Sequence, residues 1–257
     1  MHREDLLEVD LGPRARGYFT TRGAGARPVT PQEPYAGANL ALHVGDDPAR
    51  VGALRCRLEE LVGAARRADG RSAVAWMNQV HSALVAPADT GAEPTADALV
   101  LDARTAGPGP AAVGVLVADC VPLLLASHDG ALVAAVHAGR RGMLDGVVGA
   151  ALEVLAALGA EPADLWAATG PSICGRCYEV PETLHRSSAQ IEPACASTTR
   201  WGTPGLDVAA GVLAQLRRAG VGRVAASTWC TYEDERFYSY RRQAVTGRLA
   251  GVVIART

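Results

Sequence analysis

Three short stretches place a polar, nucleophilic or metal-capable side chain at the end or in the middle of an apolar run. They are Gln79-Val80-His81, Asp119-Cys120 and His137-Ala138-Gly139-Arg140-Arg141-Gly142. Residues at strand ends tend to line clefts in layered sheets. Imidazole nitrogen and thiolate sulfur suit zinc, and a catalytic zinc takes three protein ligands with a fourth position left for water. His81, Cys120 and His137 supply that number. Water held in this way loses a proton near neutral pH and becomes a nucleophile. Without metal, the same residues would make a Cys–His pair with Cys120 attacking. The spacings, 39 residues from 81 to 120 and 17 from 120 to 137, match no local metal motif. A cysteine inside an apolar strand is more often plain core, and periodicity alone does not bring the three together.

Other signals are weaker. Cys174-Gly175-Arg176-Cys177 is a C-x-x-C, but a zinc ribbon needs a second pair at short spacing, and Cys195 and Cys230 do not form one. These read as incidental thiols. Cys56 lies in a helical pattern and Cys195 in a polar loop. Gly107-Pro108-Gly109 precedes a strand rather than a helix, so it is no dinucleotide loop. The H-x-E signature of the nucleobase deaminases is absent, since Ser82-Ala83 follows His81. With six histidines and no His-x-His pair, a four-copper oxidase site is very hard to build.

The elements that would position these residues follow from hydrophobic periodicity. Strands are expected at Arg14 to Thr21, Ala73 to Pro87 (one or two), Ala96 to Leu101, Val113 to Val117, Val121 to Ala126, Leu132 to Val136, Leu165 to Thr169, Val224 to Trp229 and Leu249 to Ala255. Helices are expected at Pro48 to Val62, Met143 to Leu158 and Leu206 to Ala219. Gly23 to Asn39, rich in Gly and Pro, reads as a long loop, and long loops in compact domains are often functional. Adjacent strands joined by a tight turn, mixed with helices, indicate an α+β fold with mixed sheets in a single domain, 1–257.

Composition narrows the chemistry. The 257 residues carry 25 basic and 27 acidic side chains, for a net charge of -2, and every one of the 25 is arginine. Without lysine there is no Schiff base, no pyridoxal phosphate anchor and no Walker-type phosphate loop. Near-neutral charge argues against a nucleic-acid partner. The acidic start, Met1 to Val9, lacks a signal-peptide core, and no run approaches the roughly 20 apolar residues of a membrane span. A cytoplasmic protein is expected. Six cysteines are too sparse for a disulfide scaffold.

A series of short motifs in order completes the reading: Phe19-Thr20-Thr21-Arg22, Asn39-Leu40-Ala41-Leu42-His43-Val44-Gly45-Asp46-Asp47, Asn78-Gln79-Val80-His81, Ala118-Asp119-Cys120-Val121-Pro122, His137-Ala138-Gly139, Gly170-Pro171-Ser172-Ile173, Cys177-Tyr178-Glu179-Val180 and Phe237-Tyr238-Ser239-Tyr240-Arg241-Arg242. With these the chain resembles the YfiH/YlmD family, variously labelled polyphenol oxidase or laccase, purine nucleoside phosphorylase and peptidoglycan editing factor. The resemblance implies an α/β/β/α sandwich. It also implies zinc, with copper as the other candidate, on His81, Cys120 and His137. The implied activities are phosphorolysis of adenosine, inosine, guanosine or methylthioadenosine, and deamination of adenosine. Small-molecule nucleoside and phosphate would be the partners, with no nucleic acid and no membrane. The alternatives are a Cys–His amide hydrolase editing peptidoglycan precursors and a non-enzymatic cell-division or cell-wall accessory protein. Phosphate would be met by arginine, Arg141 first and Arg22 and Arg55 after it. Gln79 would bond the base or sugar, and Asn39 and His43 would close the pocket. The chain departs from the family pattern in two places. Arg140 stands where the family has Trp, and Cys174, Gly175 and Arg176 stand where it has Gly, Pro and Cys.

Overall fold

In a computed structural model, described for residues 1–64, 72–88, 93–105 and 111–255, the chain forms two mixed sheets stacked face to face, with helices on the two outer faces. Gly107, Pro108 and Gly109 lie outside the described residues. The first sheet has five strands in the order β1 (Leu6–Val9), β2 (Arg16–Thr20), β13 (Leu249–Ile254), β6 (Ala112–Val117), β3 (Val74–Ala75). The second has six: β12 (Arg223–Ala225), β9 (Trp166–Thr169), β7 (Val121–Ala126), β8 (Leu132–Ala138), β5 (Ala98–Asp102), β4 (Val85–Pro87). A hairpin, β10 (Ala196–Thr198) with β11 (Pro204–Leu206), stands apart.

Strand periodicity of two sorts side chains into three core layers. Along β7, Val121, Leu123 and Leu125 face the helices α3 (Val147–Ala157) and α5 (Val208–Arg218), while Leu124 and Ala126 face the other sheet. Along β6, Val113, Val115 and Val117 meet them from the opposite side, and Ala112 and Leu116 point out to α1 (Pro48–Val62). This is the α/β/β/α order that the resemblance implied. Strands buried on both faces read as continuous apolar runs, which is why β6, β7 and β8 stood out in the sequence. Among the described residues, no helix is long and apolar enough to cross a membrane.

Several elements differ from expectation, each for a local reason. The helix expected at Met143 to Leu158 is two helices. Gly146, at φ 93, ends α2 (Arg140–Asp145) in a left-handed cap, and α3 starts after it. The strand expected at Val224 to Trp229 stops at Ala225, because its partner β9 runs into Gly170-Pro171 and offers no further ladder. Leu206 belongs to β11, and α5 begins only after Asp207 caps it by accepting from Ala210 N. The stretch Ala73 to Pro87 is strand only at its two ends, and those ends lie in different sheets. Strand β1 and α4 (Glu182–Ile191) were not expected; α4 is mostly polar, with Leu184, Ala189 and Ile191 as its only apolar residues.

The loop from 23 to 39 is held by two residues that the sequence pointed towards substrate. Arg22 is buried, and its guanidinium donates to the carbonyls of Ala36, Glu235 and Arg27. Asn39 is fully buried. Its amide donates to Ala41 O and Asp46 Oδ2, and its Oδ1 accepts from the backbone N–H groups of Ala41 and Arg248. Both expectations are corrected: these side chains are engaged in holding the loop and its neighbours, and neither lines the cavity described below. Asn39→Ala would strand two buried N–H groups. It should lower unfolding stability by roughly 3 kcal/mol, read as a shifted urea midpoint at unchanged slope.

Candidate metal centre

The centre forms where the chain twice passes between the sheets at one end of the sandwich. Residues 76–84 cross from β3 to β4 and carry His81; residues 118–120 cross from β6 to β7 and carry Cys120. His137, on β8, rises beside the second crossing, opposite Pro122. The crossings are tight. His81 (φ 60) and Asp119 (φ 91) are the two non-glycine residues with positive φ among those described, a costly conformation that clusters at functional sites.

The donor atoms of His81, Cys120 and His137 all lie within 4.8 Å of one another. Cys120 Sγ is 3.6 Å from His81 Nε2, and the two imidazoles meet edge to face with centroids 4.6 Å apart. His137 Nδ1 is 2.8 Å from Asp97 Oδ1, which leaves Nε2 for the centre. Asp97 itself is fully buried just before β5. It also accepts from the backbone N–H groups of Val80, His81 and Ser82 and from the Ser82 hydroxyl. One carboxylate thus orients His137 and fixes the backbone of His81. Sequence reasoning passed over Asp97, although a lone carboxylate heading an apolar strand was a visible signal.

Gly139 supplies room. A Cβ there would stand 2.7 Å from His81 Cδ2 and 3.0 Å from Cys120 Sγ. Its φ of -71 suits any residue, so space alone demands the glycine. Convergent thiolate and imidazole donors, a carboxylate behind one imidazole and an open side fit a borderline-soft metal ion such as zinc, and copper suits the same ligand types.

Charge follows geometry. Burial pushes the Cys120 thiol up, but the imidazoles of His137 and His81 outweigh it and bring it down to about 6. Burial works against the His137 imidazolium, yet Cys120 and Asp97 raise it to about 9. Burial also raises the Asp97 carboxyl. The hydrogen bonds from His137 and Ser82 overcome that and hold it well below the usual carboxylate range. Its contribution to stability is therefore present above the ordinary carboxylate pKa and fades as pH falls from there towards the depressed folded value.

The trio sits in a cavity of about 590 Å³, within the range of small-molecule sites. Leu116, Val117, Ile173 and Val208 give apolar wall; Tyr178, Tyr240 and His43 give rings; Arg140, Arg241 and Arg248 give cations. Arg241 lies over the Tyr178 ring at 4.9 Å and Arg248 over Tyr240 at 6.0 Å. Arg140 has no hydrogen bond or ion pair with any described residue. His43 is held below its ordinary pKa by desolvation, then by Arg248 and Arg55, and so favours the neutral ring.

The remaining expected site residues stand elsewhere. Gln79 borders the cavity, but it sits on the crossing rather than on a strand, and its amide is spent on Leu116 N and O. Arg141 points outward, with a side chain 68% exposed, and pairs loosely with Asp145 at 3.6 Å. Arg55 lies over Trp76 and bonds Leu40 O and Glu93; it acts on the lining residue His43 through charge but does not itself line the cavity. The cationic role read onto Arg141 is open instead to Arg140, Arg241 and Arg248. The last two were hidden because they come from the far end of the chain. Asp119 turns from the trio and accepts from Thr231 Oγ1 and Arg241 N, both at 2.6 Å.

A family described as multi-copper polyphenol oxidoreductase laccase matches residues 16–256. The chain belongs to this family. A purine nucleoside phosphorylase of Streptomyces coelicolor is 48% identical over 237 residues, 91% of this chain and 93% of that one. Among solved structures, a Neisseria meningitidis protein of the family DUF152 superposes with a TM-score of 0.81 at 32% identity, covering 98% of this chain and all of that one. YlmD from Geobacillus stearothermophilus gives 0.80 at 28%, covering 95% and 92%. The family name speaks of several coppers and the relative's name of phosphorolysis, so the names leave the chemistry to the site.

Two outcomes test the centre. Gly139→Ala should push His81 and Cys120 apart and cut metal affinity by about 10-fold or more, with circular dichroism unchanged. In chelator-treated protein, alkylation of Cys120 should rise with pH about a midpoint near 6 and level off above neutrality. His137→Asn should move that midpoint up towards the free-thiol value of about 8.5.

Proposed function

We propose that the protein is a metal-dependent purine nucleoside enzyme that cleaves nucleosides with phosphate and deaminates adenosine. The observation that carries the reading is one cavity holding a Cys–His–His centre, two tyrosines and three arginine side chains. A zinc-class ion held by His81, Cys120 and His137 would supply Lewis acidity at the cavity floor. Around it the chain does the rest. Tyr178 and Tyr240 offer faces on which a purine stacks. The guanidiniums of Arg140, Arg241 and Arg248 match phosphate oxygens with paired donors. The neutral His43 ring in the cavity wall can donate one hydrogen bond and accept another. Asp97 engages His137 Nδ1, so Nε2 is the ring nitrogen turned to the centre, where it would bind an ion once its proton has left. Soluble nucleosides and phosphate are the partners of this reading, and the cytoplasm is where it places the protein.

A Cys–His amide hydrolase is the second reading, and one observation favours it: Cys120, His137 and Asp97 line up as nucleophile, base and orienting carboxylate. A single experiment separates the two. Metal-loaded and chelated protein are incubated with adenosine, with and without phosphate, and in parallel with a peptide of the cell-wall precursor type. Adenine and ribose phosphate appearing only with phosphate, and inosine without it, are the expected products, both lost on chelation. Neither product from metal-loaded protein sinks the nucleoside reading; peptide hydrolysis that survives chelation establishes the second. Arg140→Ala should raise KM for phosphate about 10-fold, about 1.4 kcal/mol, while deamination persists.

A further inference from the structure

The C-x-x-C that the sequence left as incidental is not isolated in space. The donor atoms of Cys174, Cys177, Cys230 and Glu233 lie within 4.8 Å of one another. Cys177 and Cys230 are buried, Cys174 is half-buried, and all three are free thiols. Cys177 Sγ is 3.3 Å from Glu233 Oε1, and the backbone N–H of Cys174 points at Cys230 Sγ at 3.4 Å. The first pair sits in one tight turn, in which Cys177 N and Tyr178 N both donate to Cys174 O. A turn of this kind aims two thiols at a common point.

We infer that Cys174, Cys177, Cys230 and Glu233 form a second, structural metal site for a thiolate-preferring divalent ion of the zinc class, which ties together the two loops that carry Tyr178 and Arg241 into the cavity wall. Four protein donors make a closed tetrahedral shell, as structural zinc requires. Around a zinc with bonds of about 2.3 Å, sulfurs stand about 3.8 Å apart, so donors already within 4.8 Å need close in by only about 1 Å. Three sulfurs exclude the hard cations, which take oxygen. Each thiol that ligates releases its proton to solvent. Arg200, with Nη1 3.2 Å from Glu233 Oε1, offsets part of the negative charge.

The position gives the site its purpose. Ser172 pairs with Cys230, and Thr231 N donates to Ser172 O, so the loops after β9 and β12 run side by side here. The apolar cluster that joins them is small: Ile173, Cys177 and Cys230, flanked by Cys174, Tyr178 and Tyr232. Half of that cement is cysteine. A metal crosslink replaces what the scant hydrophobic burial does not provide.

The test uses full-length Cys120→Ala protein, which lacks the first centre, purified under reducing conditions. It should still retain about one equivalent of zinc. Cobalt in its place should give the intense sulfur-to-metal bands of a three-thiolate tetrahedral site. Adding Cys174→Ser should abolish both and lower Tm. Glu233→Gln, at an exposed position, should weaken zinc binding about 10-fold or more while the fold is kept, and it decides the matter if the serine variant does not fold. Cys120→Ala protein without zinc, zinc binding indifferent to Glu233→Gln, or a disulfide among the three cysteines in the protein as isolated would overturn the inference. None of these readouts depends on nucleoside turnover.

Discussion

One buried carboxylate organises the candidate centre. Asp97 accepts five hydrogen bonds, three from consecutive backbone N–H groups of the first crossing, one from Ser82 Oγ and one from His137 Nδ1. A carboxylate with no exposure is costly to bury unless its lone pairs are filled, and here they are filled by the very groups that must be positioned. The strained φ of His81 persists because the N–H groups on either side are pinned to the same anion. The imidazole tautomer, the path of the crossing and the closeness of the two sheets at this end share one electrostatic anchor.

Much of the architecture was legible in the sequence. Helix α1 and strand β7 fall on the expected residues, because Asp47-Pro48 marks the helix start and Val121 to Ala126 is a run too apolar to be anything but buried. The trio was legible as chemistry, and the fold supplies the convergence that spacings of 39 and 17 residues could not express. What escaped has physical causes. Gly146 ends a helix through a backbone angle that apolar periodicity does not register. Asn39 and Arg22 look like ligand-binding polar residues in a loop, yet a long loop without ladder partners needs such side chains for its own carbonyls and amides. Arg241 and Arg248 reach the cavity from the chain's far end, a proximity that exists only after the sheets stack.

The all-arginine composition turns out to shape the cavity. A guanidinium stays charged even when burial lowers its pKa, as it does for Arg248. It can also sit over a ring, as Arg241 does on Tyr178 and Arg248 on Tyr240, with a planar charge rather than the point charge of an ammonium. Cation and aromatic wall are therefore built from the same side-chain pairs, and a flat, anionic or phosphate-bearing ligand meets both at once. Arg140, at the first turn of α2 beside Gly139, extends that surface to the edge of the Cys–His–His trio.

The place of β13 in the sheet carries a consequence for timing. This strand, residues 249–254, lies between β2 and β6; it pairs with β6 along its whole length and with β2 from Gly251 to Ile254. The five-stranded sheet thus has a gap at its middle until β13 has left the ribosome. Until then β6 is held in its sheet only by the short parallel strand β3, and the turn bearing Cys120 hangs from a strand paired on one side. Every residue of the trio is made by position 137, yet their assembly waits for more than a hundred further residues. Assembly of the trio is therefore tied to the pairing of β13.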